Sequence, residues 1–276
     1  MSEPARILYI SSEIMPFSPE NIVSTVGRLL PQAAHEQGYE IRAFMPRYGS
    51  INERRNQLHE VIRLSGMNII VGDMDRPLTI KVASVPNTRI QVYFIDNEDY
   101  FKRRFVFKDE NENFFDDNDE RSILFTRGTL ETVKKLRWQP KIVHCNGWMS
   151  HLAPLYLKKE FKSDPNFASC KVIVSLYNEF LKEKFSPSFA KKIATSQSPN
   201  IKQQDLALLS NPNGVNLAKL AVAYADGVVL SSKELPKELT DFVAKKNLPQ
   251  IAFADINANN FEQYSAKQIK FYAKFV

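Results

Sequence analysis

Polar side chains follow most of the apolar runs of this sequence, and they carry groups that could bind a ligand. In an open α/β sheet, ligands bind beyond the carboxyl ends of the strands. Hydroxyl, amide and carboxylate groups at such an edge suit a sugar or glycan better than a metal ion, because no three ligands of one hardness class are grouped. The same side chains could instead cap strands and helices, and the residues alone leave both interpretations open. They are Ser11, Ser12, Glu13, Pro46, Arg47, Tyr48, Asp96, Asn97, Glu98, His144, Asn146, Trp148, Tyr177, Asn178, Ser231 and Ser232.

The first of these turns, from Ile7 to Gly27, reads ILYISSEIMPFSPENIVSTVG. A phosphate site at a strand-to-helix turn usually has glycines, and often a lysine, because bare backbone N–H groups must approach the phosphate. Neither residue type occurs between Ser11 and Val26, and the chain has only 9 glycines among 276 residues. The turn is therefore poorly suited to a phosphorylated ligand.

Strand-like and helical patterns alternate along the chain. Arg6 to Ser11 is a continuous apolar run typical of a buried parallel strand, and Ile22 to Gln37 follows with apolar residues at helical spacing. Three strand-like segments between Leu58 and Asp96 predict an antiparallel insert. Further strands are predicted at Tyr39–Met45, Lys141–Cys145, Lys171–Leu176, Gly227–Leu230 and Ile251–Phe253, and further helices at Arg121–Leu136, Met149–Phe161, Val215–Tyr224, Leu235–Lys246 and Phe261–Phe275.

This alternation predicts an α/β fold: a single doubly wound, mostly parallel Rossmann-like domain with a β-rich insert. We expect the domain to span residues 5–255, with residues 256–276 forming a C-terminal helix that packs back on it. The segment 179–213 is polar and irregular, and it is predicted to be a mobile excursion.

Composition excludes several classes of function. The formal charge of +6 comes from 37 basic and 31 acidic residues, but the basic residues occur as short pairs on amphipathic segments, with no basic and aromatic cluster for nucleic acid. Cys145 and Cys170 form no CxxC pair and no His/Cys cluster, so no metal or cofactor is predicted, and a reducing compartment fits best. The chain lacks an apolar stretch of the roughly 18 residues that span a bilayer. A cytoplasmic protein without membrane association is expected.

Six segments, in this order, give a more specific indication. They read RILYISSEIMPF, MPRYGSIN, YFIDNEDYFKR, DDNDERSILFTRGTLETVKKL, KIVHCNGWMSHLAPLYLK and VNLAKLAVAYADGVVLSS, and they extend from about Ala5 to Ser232. Together they resemble the N-terminal catalytic domain of the bacterial glycogen and starch synthases. The resemblance implies the first of two facing Rossmann-like domains, which in that family hold ADP-glucose between them while the α-1,4-glucan approaches from one side. A second domain would need roughly 200 more residues, and only 44 follow Ser232.

The chain departs from the family pattern at three places. Where the family has Lys-x-Gly-Gly before the first helix, this chain has Ser18, Pro19, Glu20 and Asn21, so the resemblance implies that the phosphate site is lost. Proline lacks an N–H, and the glutamate would place negative charge beside a diphosphate. The family's His-x-His-Asp-Trp is HCNGW in the segment from His144 to Trp148.

In that segment Asn146 replaces the inner histidine and Gly147 the aspartate, and an asparagine cannot exchange a proton near neutral pH. In the third departure, Tyr177 replaces a histidine beside the matching Asn178. No catalytic residue is therefore assigned, and Asn146 marks the degenerate catalytic position. The candidate substrate-binding residues are Arg47, Tyr48, His144, Asn146, Trp148 and Asn178.

Three functions are compatible with these observations. The first is a glycogen synthase-like protein without glucosyl transfer of its own, which binds α-glucan or ADP-glucose weakly, or a protein, in α-glucan metabolism. The second is an active glucosyltransferase half whose nucleotide-binding domain is a separate chain. The third is an unrelated interaction protein on the same scaffold, since fold does not fix function. Homo- or hetero-oligomerisation is expected through the face that would dock a second domain, and a large apolar patch there would favour the third function.

Overall fold

A mixed sheet forms the centre of the protein in the computed structural model, which describes residues 3–253, 256–257 and 260–276. The body of the sheet is parallel. The strand order reverses between the strand Arg6–Ser11 and its neighbour Ile142–Asn146. Ligands of doubly wound sheets bind in the crevice at such a reversal. The parallel strands, in spatial order, are β10 (Gln250–Ala252), β9 (Gly227–Leu230), β8 (Lys171–Leu176), β7 (Ile142–Asn146), β1 (Arg6–Ser11), β2 (Glu40–Pro46) and β6 (Gln91–Asp96).

The antiparallel part of the sheet differs in detail from the sequence-based prediction. It consists of β3 (His59–Glu60), β4 (Met67–Val71) and β5 (Met74–Ser84), and β5 pairs with β6. Strand β6 corresponds to the last of the three predicted insert strands. It is antiparallel to β5 but parallel to β2, so it belongs to the parallel body of the sheet. A two-residue hairpin loop that begins at Gly72 joins β4 to β5. Gly72 has a φ of 60°, a conformation that glycine adopts without strain.

Helices cover both faces of the sheet. Helix α3 is the most deeply buried of the long helices in the described chain, and only Lys134 and Lys135 at its C-terminal end are exposed. The helices are α1 (Ile22–Glu36), α2 (Glu98–Phe101), α3 (Asn118–Lys135), α4 (Ala153–Lys159), α5 (Phe189–Ile193), α6 (Gly214–Ala223), α7 (Lys237–Lys246) and α8 (Phe261–Tyr272), with 3₁₀ helices at Trp148–Ser150 and Gln203–Ser210. No helix in the described ranges is long and apolar enough to cross a membrane.

The segment between β8 and α6 is tied to the body of the protein, although its polar sequence predicts an irregular excursion. It contains α5 and the second 3₁₀ helix. Lys192 Nζ lies 2.9 Å from Asp119 Oδ2 on α3. Arg127 Nη1 donates to the Gln197 carbonyl at 2.9 Å, and the Gln197 side chain accepts from Ile70 N at 3.0 Å. Long-range polar contacts of this kind cannot be predicted from local sequence.

Helix α8 packs against α1. Its Tyr272 hydroxyl is hydrogen-bonded to His144 Nδ1 on β7. The predicted boundary at residue 255 lies outside the described residues and stays a prediction. The consequence for the site is that α8 covers one face of β1 and β7.

Candidate functional site

The crevice between β1 and β7 is filled by the side chain of Asn146. Its Nδ2 donates to Ser11 Oγ at 2.7 Å and to the Val23 carbonyl at 3.0 Å. Its Oδ1 accepts from the Tyr177 hydroxyl at 2.6 Å. Three of the four hydrogen bonds available to a primary amide are thus made within the protein, and the side chain is 1% exposed.

Two glycines allow this close packing. A Cβ on Gly27 of α1 would lie 2.5 Å from the Glu13 carbonyl oxygen. Gly147 has a φ of 84°, and a Cβ there would lie 2.6 Å from Ser12 Oγ. The position that is an aspartate in the resembling family thus has a backbone conformation and a space that only glycine fits without strain.

The N-terminus of α1, which would receive a phosphate in a nucleotide-binding turn, is closed by its own cap. Ser24 N donates to Asn21 Oδ1 at 2.8 Å, and Asn21 N donates to Ser24 Oγ at 2.9 Å, which forms a capping box. Asn21 Nδ2 donates to Glu13 Oε1 at 3.0 Å. The helix end therefore faces a carboxylate of the protein itself.

Outside this closed crevice lies an open cleft of about 510 Å³, which we call the acidic cleft. Five carboxylates and one lysine line it, and the lysine, Lys108, is paired with Glu183 at 3.0 Å. Burial raises the pKa of Glu13 to about 7, and the negative charge of Glu179 acts in the same direction. The residues lining the cleft are Glu13, Pro19, Asn21, Phe105, Val106, Phe107, Lys108, Asp109, Glu112, Glu179, Phe180 and Glu183.

Trp148 lies behind this cleft in an aromatic cluster. Its ring centroid is 5.1 Å from that of Phe107, 5.6 Å from Phe114, 5.9 Å from Phe180 and 5.5 Å from Phe185. The indole is 5% exposed, and its Nε1 has no hydrogen-bond partner in the described chain. The ring therefore packs as part of the core in this structure.

Arg47 and Tyr48 are also engaged within the protein. The Tyr48 hydroxyl donates to the Ser12 carbonyl at 2.7 Å, and the residue is fully buried. Arg47 Nε donates to Asp96 Oδ2 at 2.9 Å and lies 3.3 Å from Glu53 Oε1. Both side chains fix the loop after β2 against its neighbours.

His144 is fully buried, with Nε2 at 2.7 Å from Ser175 Oγ and Nδ1 bonded to the Tyr272 hydroxyl. Burial lowers the pKa of His144 to about 3. The imidazole is therefore neutral at physiological pH, and both of its nitrogens are already hydrogen-bonded.

The structure places the six predicted substrate-binding residues along one edge of the sheet, but it turns most of them inward. Asn178 is the exposed member, and a role of the six in ligand binding stays a prediction. Sequence reasoning missed Phe105, Asp109, Glu112, Glu179 and Glu183, which line the acidic cleft. The signal that could have indicated the cleft is the acidic run DENE at 109–112.

Exposed apolar surface is sparse in the described part of the chain. The large hydrophobic residues that reach solvent there are Ile62, Met74, Phe105 and Val276. Phe105, 44% exposed, lines the acidic cleft, so this edge offers one aromatic side chain among carboxylates rather than a broad apolar face.

Comparison with known proteins agrees with this architecture. The fold is similar to the catalytic domain of starch synthase IV from Arabidopsis thaliana, solved bound to ADP and acarbose, with a TM-score of 0.74 and 17% identity over 93% of this chain and 53% of that chain. At this identity the likeness shows the fold alone.

Curated glycogen synthases are similar in sequence. That of Chlorobaculum tepidum is 34% identical over 238 residues, which cover 86% of this chain and 47% of the relative. That of Chlorobium limicola is 39% identical over 176 residues, which cover 63% of this chain and 36% of the relative. The chain thus spans about half or less of the length of these relatives. The family model described as the starch synthase catalytic domain matches residues 6–251. With most of its length matched in sequence and in fold, the chain belongs to the starch synthase catalytic domain family.

Proposed function

We propose that this chain is a member of the family without glucosyl transfer of its own, acting as a glycan- or protein-binding partner in α-glucan metabolism. The observation that carries the proposal is the occupation of the crevice by Asn146, whose amide is hydrogen-bonded to Ser11, Val23 and Tyr177. A ligand group entering the crevice would have to break these buried hydrogen bonds, each of which costs about 1–3 kcal/mol when a partner is left unsatisfied.

Electrostatics at the same edge oppose a sugar diphosphate. The carboxylate of Glu13 faces the capped N-terminus of α1, and Glu179 lines the same cleft. No lysine or arginine occurs between Ser11 and Gly27 to offset them. An anionic donor would meet like charge where a nucleotide-binding turn offers N–H groups.

Acid–base chemistry is also poorly supported. The buried His144 stays neutral because its pKa is lowered to about 3, and both its nitrogens are bonded within the protein. Asn146 holds the inner position and cannot carry a proton at neutral pH. Glucosyl transfer by this chain alone is therefore not expected.

The proposal is tested by calorimetric titration with ADP-glucose and, separately, with maltoheptaose, alongside an assay of glucosyl transfer from ADP-glucose to glycogen. We expect no transfer and no donor binding tighter than about 1 mM, which corresponds to roughly 4 kcal/mol. Maltoheptaose binding that Asn178→Ala weakens would assign a glycan-binding role, and its absence would favour a protein partner. Transfer by the isolated chain would overturn the proposal.

A second candidate is an active half whose nucleotide-binding domain is a separate chain, and the match to about half of each relative is compatible with it. It predicts that donor binding appears when the second chain is added. The proposal includes a homo- or hetero-oligomer formed through the face that would dock a second domain. It also includes a cytoplasmic location. Light scattering coupled to size-exclusion chromatography measures the oligomeric state.

A further inference from the structure

The acidic cleft concentrates negative charge on a protein that is basic as a whole. The chain has a formal charge of +6, yet the cleft has five carboxylates and a single lysine. Lys108 is bound to Glu183. The Asp109 carboxylate accepts hydrogen bonds from its own loop, including Asn113 N at 2.9 Å. Glu112 is exposed on the same loop, which leaves the carboxylates of Glu13 and Glu179 to be explained.

Glu13 is a buried carboxylate without a cationic partner. The residue is 5% exposed, and among the described residues neither it nor Glu179 forms an ion pair within 4.0 Å. Oε1 of Glu13 accepts from Asn21 Nδ2, whereas Oε2 accepts no hydrogen bond from the described chain, and the residue lines the cleft. A buried charge without a partner destabilises the folded state, so a cation that reached Oε2 would stabilise the ionised Glu13.

The charge of Glu179 acts on Glu13. The charge of Glu179 contributes to raising the pKa of Glu13, and burial raises the pKa of Glu179 itself. Since the two side chains line one cleft and repel each other, a positive group between them would be attracted by both. The rest of the cleft surface adds Phe105, Phe107 and Phe180, and aromatic faces also attract cations.

The chemistry of the walls indicates which cation fits. No group of three or more His, Cys, Asp or Glu side chains in the described ranges converges closely enough to hold a metal ion. A cleft of about 510 Å³ with spread carboxylates and aromatic walls fits an organic cation whose methylene chain packs on the rings. We propose that the acidic cleft binds the ammonium group of an organic cation between Glu13 and Glu179.

This site does not depend on whether the chain binds ADP-glucose, because the two ligands have opposite charge and separate titrations. The shared chemistry of the ligand is an alkylammonium group, which either a free polyamine or a lysine side chain of a partner protein supplies. Two probes distinguish these sources: spermidine, and a heptapeptide rich in lysine.

The experiment is isothermal titration of the full chain with each probe at pH 8, with 1,4-butanediol as the uncharged control. We expect at least one cation to bind more tightly than about 1 mM, and the diol not to bind. Glu13→Gln and Glu179→Gln should each weaken binding about tenfold, as expected for the loss of one charge-assisted hydrogen bond. The matched control is Glu60→Gln on the exposed strand β3, which removes the same charge elsewhere and should change the affinity less than twofold.

Binding should also depend on pH. Glu13 must be ionised to bind the cation, and the charged groups that share its cleft are Asp109, Glu112, Glu179, Glu183 and Lys108, with the neutral Asn21 and Tyr48 also beside it. Because the pKa of Glu13 is raised to about 7, affinity should fall as the pH is lowered from 8 to 6. In Glu13→Gln this fall should be smaller.

The outcomes separate clearly. Tighter binding of spermidine identifies a free polyamine as the ligand, and tighter binding of the peptide identifies a protein lysine. Either result supports the site if Glu13→Gln weakens the binding of that probe and Glu60→Gln does not. Failure of both cations to bind, or equal weakening by Glu60→Gln, would overturn the proposal. Circular dichroism of each variant verifies that the fold is retained.

Discussion

Removing the amide of Asn146 should destabilise the protein substantially, because the side chain is an internal connector of β1, α1 and β8. In Asn146→Ala the buried Tyr177 hydroxyl loses its acceptor, whereas Ser11 Oγ keeps its hydrogen bond to the Glu13 carbonyl. We assign about 2 kcal/mol to the orphaned hydroxyl and about 1 kcal/mol to each of the two bonds from Nδ2, to Ser11 and to the Val23 carbonyl. The expected loss in the free energy of unfolding is about 4 kcal/mol.

Urea denaturation followed by circular dichroism measures this loss. The matched control is Asn178→Ala, an exposed asparagine two positions after β8, which should change the free energy of unfolding by less than about 0.5 kcal/mol. A double-mutant cycle with Tyr177→Phe isolates the hydroxyl, because in that background no hydroxyl is orphaned. The cost of Asn146→Ala should then fall by about 1–2 kcal/mol.

A loss below about 1 kcal/mol for Asn146→Ala would refute this reasoning. It would mean that the amide is free to leave its partners, and therefore available to a ligand. A purely additive double-mutant cycle would likewise show that the bond from Tyr177 to Asn146 does not contribute to stability.

Three further predictions concern the same edge of the sheet. The pKa of Glu13 is raised from 4.5 to about 7, so the folded state binds more protons than the unfolded state between these pH values. The free energy of unfolding should therefore fall as the pH rises from about 4.5 to about 7. Glu13→Gln should make this dependence smaller, as measured by urea unfolding at pH 5 and pH 8. Gly147→Ala should lower the free energy of unfolding by about 1–3 kcal/mol, measured thermally, because of its φ of 84° and the adjacent Ser12. The pKa of His144 is lowered to about 3 by burial, so its NMR signals should not titrate above pH 5. Tyr272→Phe removes the hydrogen bond to His144. This substitution should lower the free energy of unfolding by about 1–3 kcal/mol and speed amide exchange in α8.

Controls separate these effects from general destabilisation. Glu60→Gln is the charge-matched control for Glu13→Gln, and it should leave the pH dependence of urea unfolding as in the wild type. Gly38, whose φ is 88° with open space around it, gives a control for Gly147, because only the backbone cost applies there. An equal loss for Gly38→Ala and Gly147→Ala would contradict the role assigned to the contact with Ser12.

The parallel body of the sheet could be predicted from the sequence because its strands are continuous apolar runs. Lys171–Leu176 and Gly227–Leu230 were predicted at the bounds that the structure shows. The insert is harder to predict, because a proline usually interrupts a strand, yet Pro77 lies inside β5, opposite Asn68. Proline is tolerated there because β5 is paired with β4 alone at this position, and its pairing with β6 begins only at Thr79.

The sequence indicates which edge of the sheet the candidate residues lie on, but not the direction in which their side chains point. The carboxyl ends of strands identified the edge that contains His144 and Asn146. Whether these side chains face solvent or the interior depends on Tyr272 and Tyr177, which lie 128 and 31 residues further along the chain. No local pattern encodes such a contact, so both could be interpreted as ligand contacts from sequence alone.

The contact of α8 with β1 and β7 also affects when these two strands are buried during synthesis of the chain. Tyr9 lies near the start of the sequence and His144 near its middle, yet both pack against Tyr272. Until α8 has been synthesised, Tyr9 and His144 therefore lack the ring that packs against them. Burial of this part of β1 and β7 depends on a helix that is made more than 100 residues after His144.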